Sequence, residues 1–311
     1  MSSVPIETRL NTDKESAEIF EECVNCIQDV SEDSIIYHYT SPEGLLGITD
    51  KQCLWATDIN YLNDSSESRY VYLLVSNILK SKSESWNKDF QESLSLRCEH
   101  QIKKYDISNR LLFADKTDVY VISFSLDRDN LNMWKYYTKN AGNVGYNIGF
   151  DKTALTTNCG LNNFTYGKVI YDEAKQIDLL RTTLEKFEEL YSKQPDRFGR
   201  AQVFQFLVST LYNISAFFKH PAFADENEFR VVIRNHIRFN KSNDLKIHYR
   251  IKDGVFIPYT NLEFATSAVI SIALSPSDKQ SMAVHSVQRM LEEKYKLRYE
   301  DFFCSLIPFN S

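Results

Sequence analysis

The sequence predicts an α+β fold with a helical insertion and a C-terminal helix. Three observations lead there. Short β-branched and aromatic runs such as Val119–Ser125 and Ala268–Leu274 have the length and composition of strands. A long stretch from Ala174 to Phe218 has helical apolar spacing. The chain also carries no internal repeat, no low-complexity segment and no linker rich in Pro, Gly or Ser, so a single domain over residues 1–311 is expected.

In chain order, residues 1–33 place Ala17, Phe20, Val24 and Ile27 at helical spacing and read as one amphipathic helix. The first half of the core, 34–170, opens on the β-type run Ser34–Thr40. Ser41 as cap and Pro42 at the first helical position then predict a short helix from Glu43 to Thr49. Cys53–Thr57 reads as a strand, Asn60–Asp64 as a turn and Glu67 to Lys80 as a helix. Residues 81–118 are charged and helical in pattern. Val119–Ser125 is the clearest strand; Asp127–Asn130 breaks it, and Leu131–Tyr137 reads as a short helix presenting Met133, Trp134 and Tyr137. Gly142 and Gly145 flank a turn into a strand at Tyr146–Phe150, and Val169–Tyr171 reads as another. The insertion, 172–218, is interrupted at Pro195, which predicts a helical pair. The second half of the core, 219–311, holds strands at Lys246–Tyr249, Val255–Tyr259 and Ala268–Leu274. Ser275-Pro276-Ser277 then caps a helix from Asp278 to Lys296.

The chain has 311 residues and a net charge of -6, which argues against broad non-specific nucleic-acid binding. Its 20 Phe and 18 Tyr serve a core, and they also make flat walls for planar ligands. Six scattered cysteines and a polar N-terminus predict free thiols in a reducing cytoplasm. Cys23-Val-Asn-Cys26 lacks a second pair, so helix-face thiols are expected rather than zinc, and no metal site is expected. No apolar run approaches the roughly 20 residues that span a bilayer, so a soluble protein without a membrane partner is expected. Walker, Gly-x-Gly-x-x-Gly, HExxH and Gly-x-Ser-x-Gly motifs are absent from the sequence.

Three strand-borne polar clusters break the apolar pattern: His38-Tyr39-Thr40, Ser123-Phe124-Ser125 with Trp134 and Tyr137 beyond it, and Glu226-Asn227-Glu228. In an extended strand Glu226, Glu228 and Arg230 share one face, with the two carboxylates about 7 Å apart. Burial of such a pair raises one carboxyl pKa unless Arg230 offsets the cost. A solvated face with a surface ion pair fits the same residues. Likewise a strand-end His38 is often structural, Ser123 and Ser125 also suit an edge strand, and Trp134 with Tyr137 also suits a core.

The order His-Tyr-Thr, Ser-x-Ser, Glu-x-Glu resembles the ADP-ribosyltransferase superfamily. The longer pattern of YHYTS, WATDINYLND with Glu67, SFS…MWKYY…GYNIGFD and FKHPAFADENEFR is similar to a widespread bacterial family of unknown function, over most of residues 35–235. Members of that family often sit near phage-defence genes. The resemblance implies a split β-sheet core of ADP-ribosyltransferase type that cleaves the nicotinamide–ribose bond of NAD, as a transferase or an NAD glycohydrolase, in a toxin or defence effector. It further implies a macromolecular acceptor, protein or nucleic acid, and a partner protein from a defence operon.

By that resemblance Glu228 stabilises the oxocarbenium-like state and Glu226 orients or deprotonates the acceptor. His38 bonds the adenosine-side ribose with Thr40 nearby, Ser123 and Ser125 bind ribose or brace the glutamate, and Trp134 and Tyr137 stack on nicotinamide. Tyr39 and Arg230 complete the NAD-contacting set. The second motif departs from Ser-Thr-Ser in having Phe124 at its centre. Two further readings fit the same clusters: a catalytically inactive nucleotide sensor, and a nuclease or phosphotransferase using Asp225, Glu226 and Glu228.

Overall fold

The structure, a computed structural model, describes residues 6–27, 35–62, 67–81, 85–103, 119–137, 144–157, 164–234 and 245–308. The expectations for Asn63, Asp64, Gly142, 82–84 and 104–118 lie outside the described residues, as does Cys159. Packing divides the chain into two compact units, one drawn from 1–28, 59–119 and 169–222, the other from the remainder.

The first unit is helical: α1 (Ile6–Ile27), α3 (Glu67–Ser81), α4 (Lys88–Ile102), α7 (Glu173–Lys193) and α8 (Arg197–Ser215). Each buries a stripe at helical spacing, as with Leu180, Leu184, Phe187 and Tyr191 on α7 and Val203, Leu207, Leu211 and Ile214 on α8. The interruption at Pro195 is where the pair turns. Asp172 and Asp196 cap the two helices by accepting from Ala174 and Lys175, and from Gly199. At the base of this pair the buried Gln176 donates to the carbonyls of Ile170 and Lys219. Cys23 is buried and Cys26 exposed on α1, and both are free thiols.

The second unit is an α+β sheet structure. Its strands are β1 (Ile35–Thr40), β2 (Cys53–Asp58), β3 (Val119–Ser125), β4 (Tyr146–Asp151), β5 (Phe164–Lys168), β6 (Glu228–Arg234), β7 (His248–Lys252), β8 (Val255–Glu263), β9 (Val269–Leu274) and β10 (Phe302–Cys304). The strand order is β10-β9-β4-β1-β3-β2-β8-β7, and β6 joins from the side by pairing with β3 and β5. β3 is therefore the branch point of the sheet. β10 runs parallel to β9, whereas β1 is antiparallel to β3 and β4, and β2 to β3 and β8, so the sheet is mixed.

α2 (Pro42–Lys51), α6 (Lys152–Thr157) and α9 (Gln280–Tyr295) belong to this unit, as does α5 (Leu131–Tyr137). The main core gathers Ile36, Ile122, Phe124, Ile148, Phe150 and Phe229 with Leu291 of α9. A smaller cluster of Tyr37, Tyr39, Met133, Trp134 and Ala273 seats α5 on the sheet.

Several elements differ from expectation: β7 spans His248–Lys252 rather than Lys246–Tyr249, and β8 runs from Val255 past Tyr259 to Glu263. The strand expected at Val169–Tyr171 is at Phe164–Lys168, in register with β6 from Phe164↔Ile233 to Lys168↔Phe229, and Ile170 makes only an isolated bridge to Phe218. α9 starts at Gln280 rather than Asp278; Ser275 is buried and accepts from the Gly145 N–H, and Ser277 Oγ accepts from the Lys279 N–H just ahead of the helix. β10 has no counterpart among the expected strands.

Candidate functional site

β1 and β3 present the first two clusters side by side, with Tyr37 opposite Ser125. His38 Nδ1 lies 3.1 Å from the Ser123 carbonyl, so Nδ1 carries the proton and Nε2 is left as an acceptor. The imidazole meets Phe124 edge-on at 5.6 Å between centroids. Burial, reinforced by the positive charge of Arg250 and opposed by the Ser123 carbonyl, holds its pKa down to about 4. His38 is thus a neutral hydrogen-bonding group at pH 7.

Tyr39 and Thr40 are both buried. The Tyr39 hydroxyl donates to the Asp127 carbonyl at 2.8 Å and accepts from the Asn130 N–H at 3.1 Å. Burial raises the phenol pKa far above its usual range. Its ring packs edge-on against Trp134, with centroids 4.6 Å apart. Trp134 is 2% exposed, and its indole N–H donates to Asp129 Oδ1 at 2.8 Å. It is a core residue, not a free wall for nicotinamide. Tyr137 is half-buried at the edge of the same cluster.

The third cluster docks on the end of β3. Ser125, fully buried, donates to the Glu226 carbonyl at 2.9 Å and accepts from the Asp127 N–H at 3.1 Å. The Leu126 N–H donates to the Asn227 carbonyl, and Asn227 Nδ2 to Asp127 Oδ1 at 3.1 Å. Asn130 closes the arrangement: its Nδ2 donates to the Asp225 carbonyl at 2.6 Å while its Oδ1 caps α5 through Asn132 and Met133. Of the two serines, Ser125 is the brace for the glutamate segment, and Ser123 acts on His38 through its backbone.

Glu226 and Glu228 do not share a strand face. Glu226 ends the 3₁₀ turn Pro221–Glu226, and Asn227 follows at φ +44°, in the left-handed region. That residue resets the alternation, and the strand begins only at Glu228. Glu228 Oε2 accepts from Arg230 Nε at 2.5 Å, with both side chains buried. All seven residues of β6 are buried, so its polar face is interior and not a solvated one.

The fold therefore places the clusters on β1, β3 and β6, with β3 paired to each of the other two; Ser125 lies on the face of Tyr37 and reaches the Glu226 carbonyl, while His38 lies on the opposite face against Phe124. An open depression of about 490 Å³ lies between Asp127–Asn132 and Ala224–Asn227, with Asp127, Asp129 and Asp225 on its walls. Asn130 and Asn227 organise this site, where the sequence shows at Asp127–Asn130 only a break after the strand. The usable signal was Asn130 one residue ahead of a helix. Among the described residues no group of three His, Cys, Asp or Glu side chains is placed to hold a metal ion, and no helix is long and apolar enough to cross a membrane.

No curated protein and no solved structure matches the chain. Residues 133–231, from α5 through the site turn into β6, match the family model described as "Protein of unknown function (DUF2971)".

Proposed function

We propose that this protein consumes NAD, as an ADP-ribosyltransferase or an NAD glycohydrolase. The observation that carries the reading is the adjacency of the strands that bear the three clusters: β3 pairs with both β1 and β6, and Ser125 ties it to the glutamate segment through the Glu226 carbonyl. In the proposed reaction the C1′–nicotinamide bond breaks and its electron pair leaves with the neutral nicotinamide. An acceptor O–H or N–H, or water, bonds to C1′ and gives up its proton to a carboxylate, for which Glu226 is the half-buried candidate. The Glu228 carboxylate and the acidic depression beside it favour the cationic pyridinium and the oxocarbenium-like state. A neutral His38 with a free Nε2 suits a ribose hydroxyl donor. A cytoplasmic toxin or defence effector with a macromolecular acceptor remains part of this proposal through the resemblance alone.

The test is nicotinamide release from NAD by the purified protein, read by mass spectrometry with and without cell lysate as acceptor source. Glu226→Gln and Glu228→Gln variants with verified folding are the comparison. Release abolished by either substitution supports the reading, and absence of release under both conditions overturns it. A second reading, a nucleotide sensor without turnover, is favoured by the 2.5 Å Arg230 contact that already occupies one oxygen of Glu228.

A further inference from the structure

Beside the residues above, the sheet carries a second set of aromatic and cationic side chains. Alternation on β2 and β8 sends Leu54, Ala56 and Leu262 into the main core and Trp55, Thr57 and Tyr259 to the opposite face. There three rings from three strands form a ladder. Trp55 and Tyr259 are 4.7 Å apart at 34°, and His248 stacks on Tyr259 at 5.4 Å and 26°. Trp55 is 37% exposed, unlike the other tryptophans.

Two cations border this ladder. Lys51 Nζ lies 5.6 Å from the Trp55 ring centroid, and Arg250 Cζ is also at 5.6 Å. Arg250 reaches from β7 across β8 to donate to Thr57 Oγ1 at 3.0 Å. Its Nε is buried and makes no hydrogen bond, and no carboxylate pairs with Arg250 or Lys51 among the described residues. A half-buried guanidinium without an anion carries a desolvation cost that a bound anion would offset. Burial accordingly lowers the Arg250 pKa. In a chain of net charge -6, an unpaired arginine and lysine beside stacked rings is a local exception.

We propose that the Trp55–Tyr259–His248 ladder with Arg250 and Lys51 is a nucleotide-binding site, the base extending the ring stack and the phosphates meeting the two cations. Among the described residues two cations border the rings, which suits the one or two phosphates of a free nucleotide better than the backbone of a long polyanion. The site uses none of the residues assigned to NAD cleavage; Arg250 acts on His38 through its charge, and ADP binding is read separately from NAD cleavage.

The test titrates the full-length protein with adenosine, AMP and ADP, following tryptophan fluorescence and binding heat. ADP is expected to saturate and quench Trp55, with Trp55→Phe losing the quench while still binding. Adenosine should bind about tenfold or more weaker than ADP, and Arg250→Gln should weaken ADP by about 10- to 100-fold, the range of a charge-assisted hydrogen bond. Lys51→Gln should weaken it by a smaller factor. If Arg250→Gln does not fold, the exposed Lys51→Gln and Trp55→Phe variants carry the test. Absence of saturable ADP binding overturns the proposal. So does binding indifferent to Arg250 and Lys51, or binding confined to an oligonucleotide. ADP binding without NAD cleavage would leave this site standing and remove only the catalytic reading.

Discussion

Arg230 donates its Nε to Glu228 Oε2 at 2.5 Å, two residues apart on one strand, with side-chain exposures of 1% and 5%. Each charge helps the other to be tolerated inside. Glu228→Gln is therefore expected to cost about 3 kcal/mol of unfolding free energy, since it removes a carboxylate in contact with the buried Arg230 guanidinium. The double replacement Glu228→Gln with Arg230→Met should recover much of that loss. Denaturant unfolding of the two single variants and the double variant measures the coupling. Additive losses would show that the pair is not the unit that matters. The same measurement decides whether a loss of activity in Glu228→Gln reports chemistry or folding.

His38 gives the fold a pH dependence of defined sign. Its folded pKa, about 4, lies below the ordinary 6.5, so the unfolded chain takes up the proton first as pH falls. Stability from this group is fully present above pH 6.5 and declines as pH drops toward 4. The full shift corresponds to at most about 3 kcal/mol, less some screening of a half-buried ring. His38→Asn keeps a donor near the Ser123 carbonyl and removes the titration. The difference in unfolding free energy between wild type and variant should therefore change with pH between 6.5 and 4 and level off below. A difference constant over that window would contradict a buried neutral His38.

Much of the scaffold was legible because local pattern and environment agree. Val119–Ser125 and Leu131–Tyr137 form where their composition places them, and Ser41 with Pro42 starts α2 as the residues require. Phe164–Lys168 was not legible: Thr165, Gly167 and Lys168 dilute its apolar run, and it is a strand because β6 offers it a register. The three residues of β10 are too few to show an alternation. At the site, the residue types were readable and their geometry was not. Strict alternation put Glu226 beside Glu228, and a single left-handed Asn227 undid it. Trp134 has the sequence context of a presented aromatic, yet Tyr39 and Asp129 claim it for the core. Arg250 drew no notice because its importance comes from reaching across two strands, which no local window contains.

That assignment of Trp134 can be read in solution. Of the three tryptophans, Trp55 is 37% exposed, Trp86 8% and Trp134 2%. Acrylamide quenching should therefore be carried mainly by Trp55, and Trp134→Phe should leave the collisional quenching constant nearly unchanged. The substitution should instead lower stability by about 1–3 kcal/mol, through lost volume and the lost bond to Asp129. A large fall in quenching in Trp134→Phe would mean that its ring is open to solvent.

Asn227 turns the chain from the 3₁₀ turn into β6 while holding Asp127, so its substitutions separate conformation from contact. Glycine accepts φ +44° freely but loses the bond to Asp127 Oδ1. Alanine loses the bond and also pays about 1 kcal/mol or more to sit in the left-handed region. Aspartate tolerates the backbone but sets a second carboxylate against Asp127, costing more at low ionic strength. Stability should fall in the order Asn, Gly, Ala, with Asp recovering toward Gly as salt is raised. Chemical denaturation at two salt concentrations gives all four values. If Ala proves as stable as Gly, the turn is not held in the left-handed conformation, and the offset between Glu226 and Glu228 needs another cause.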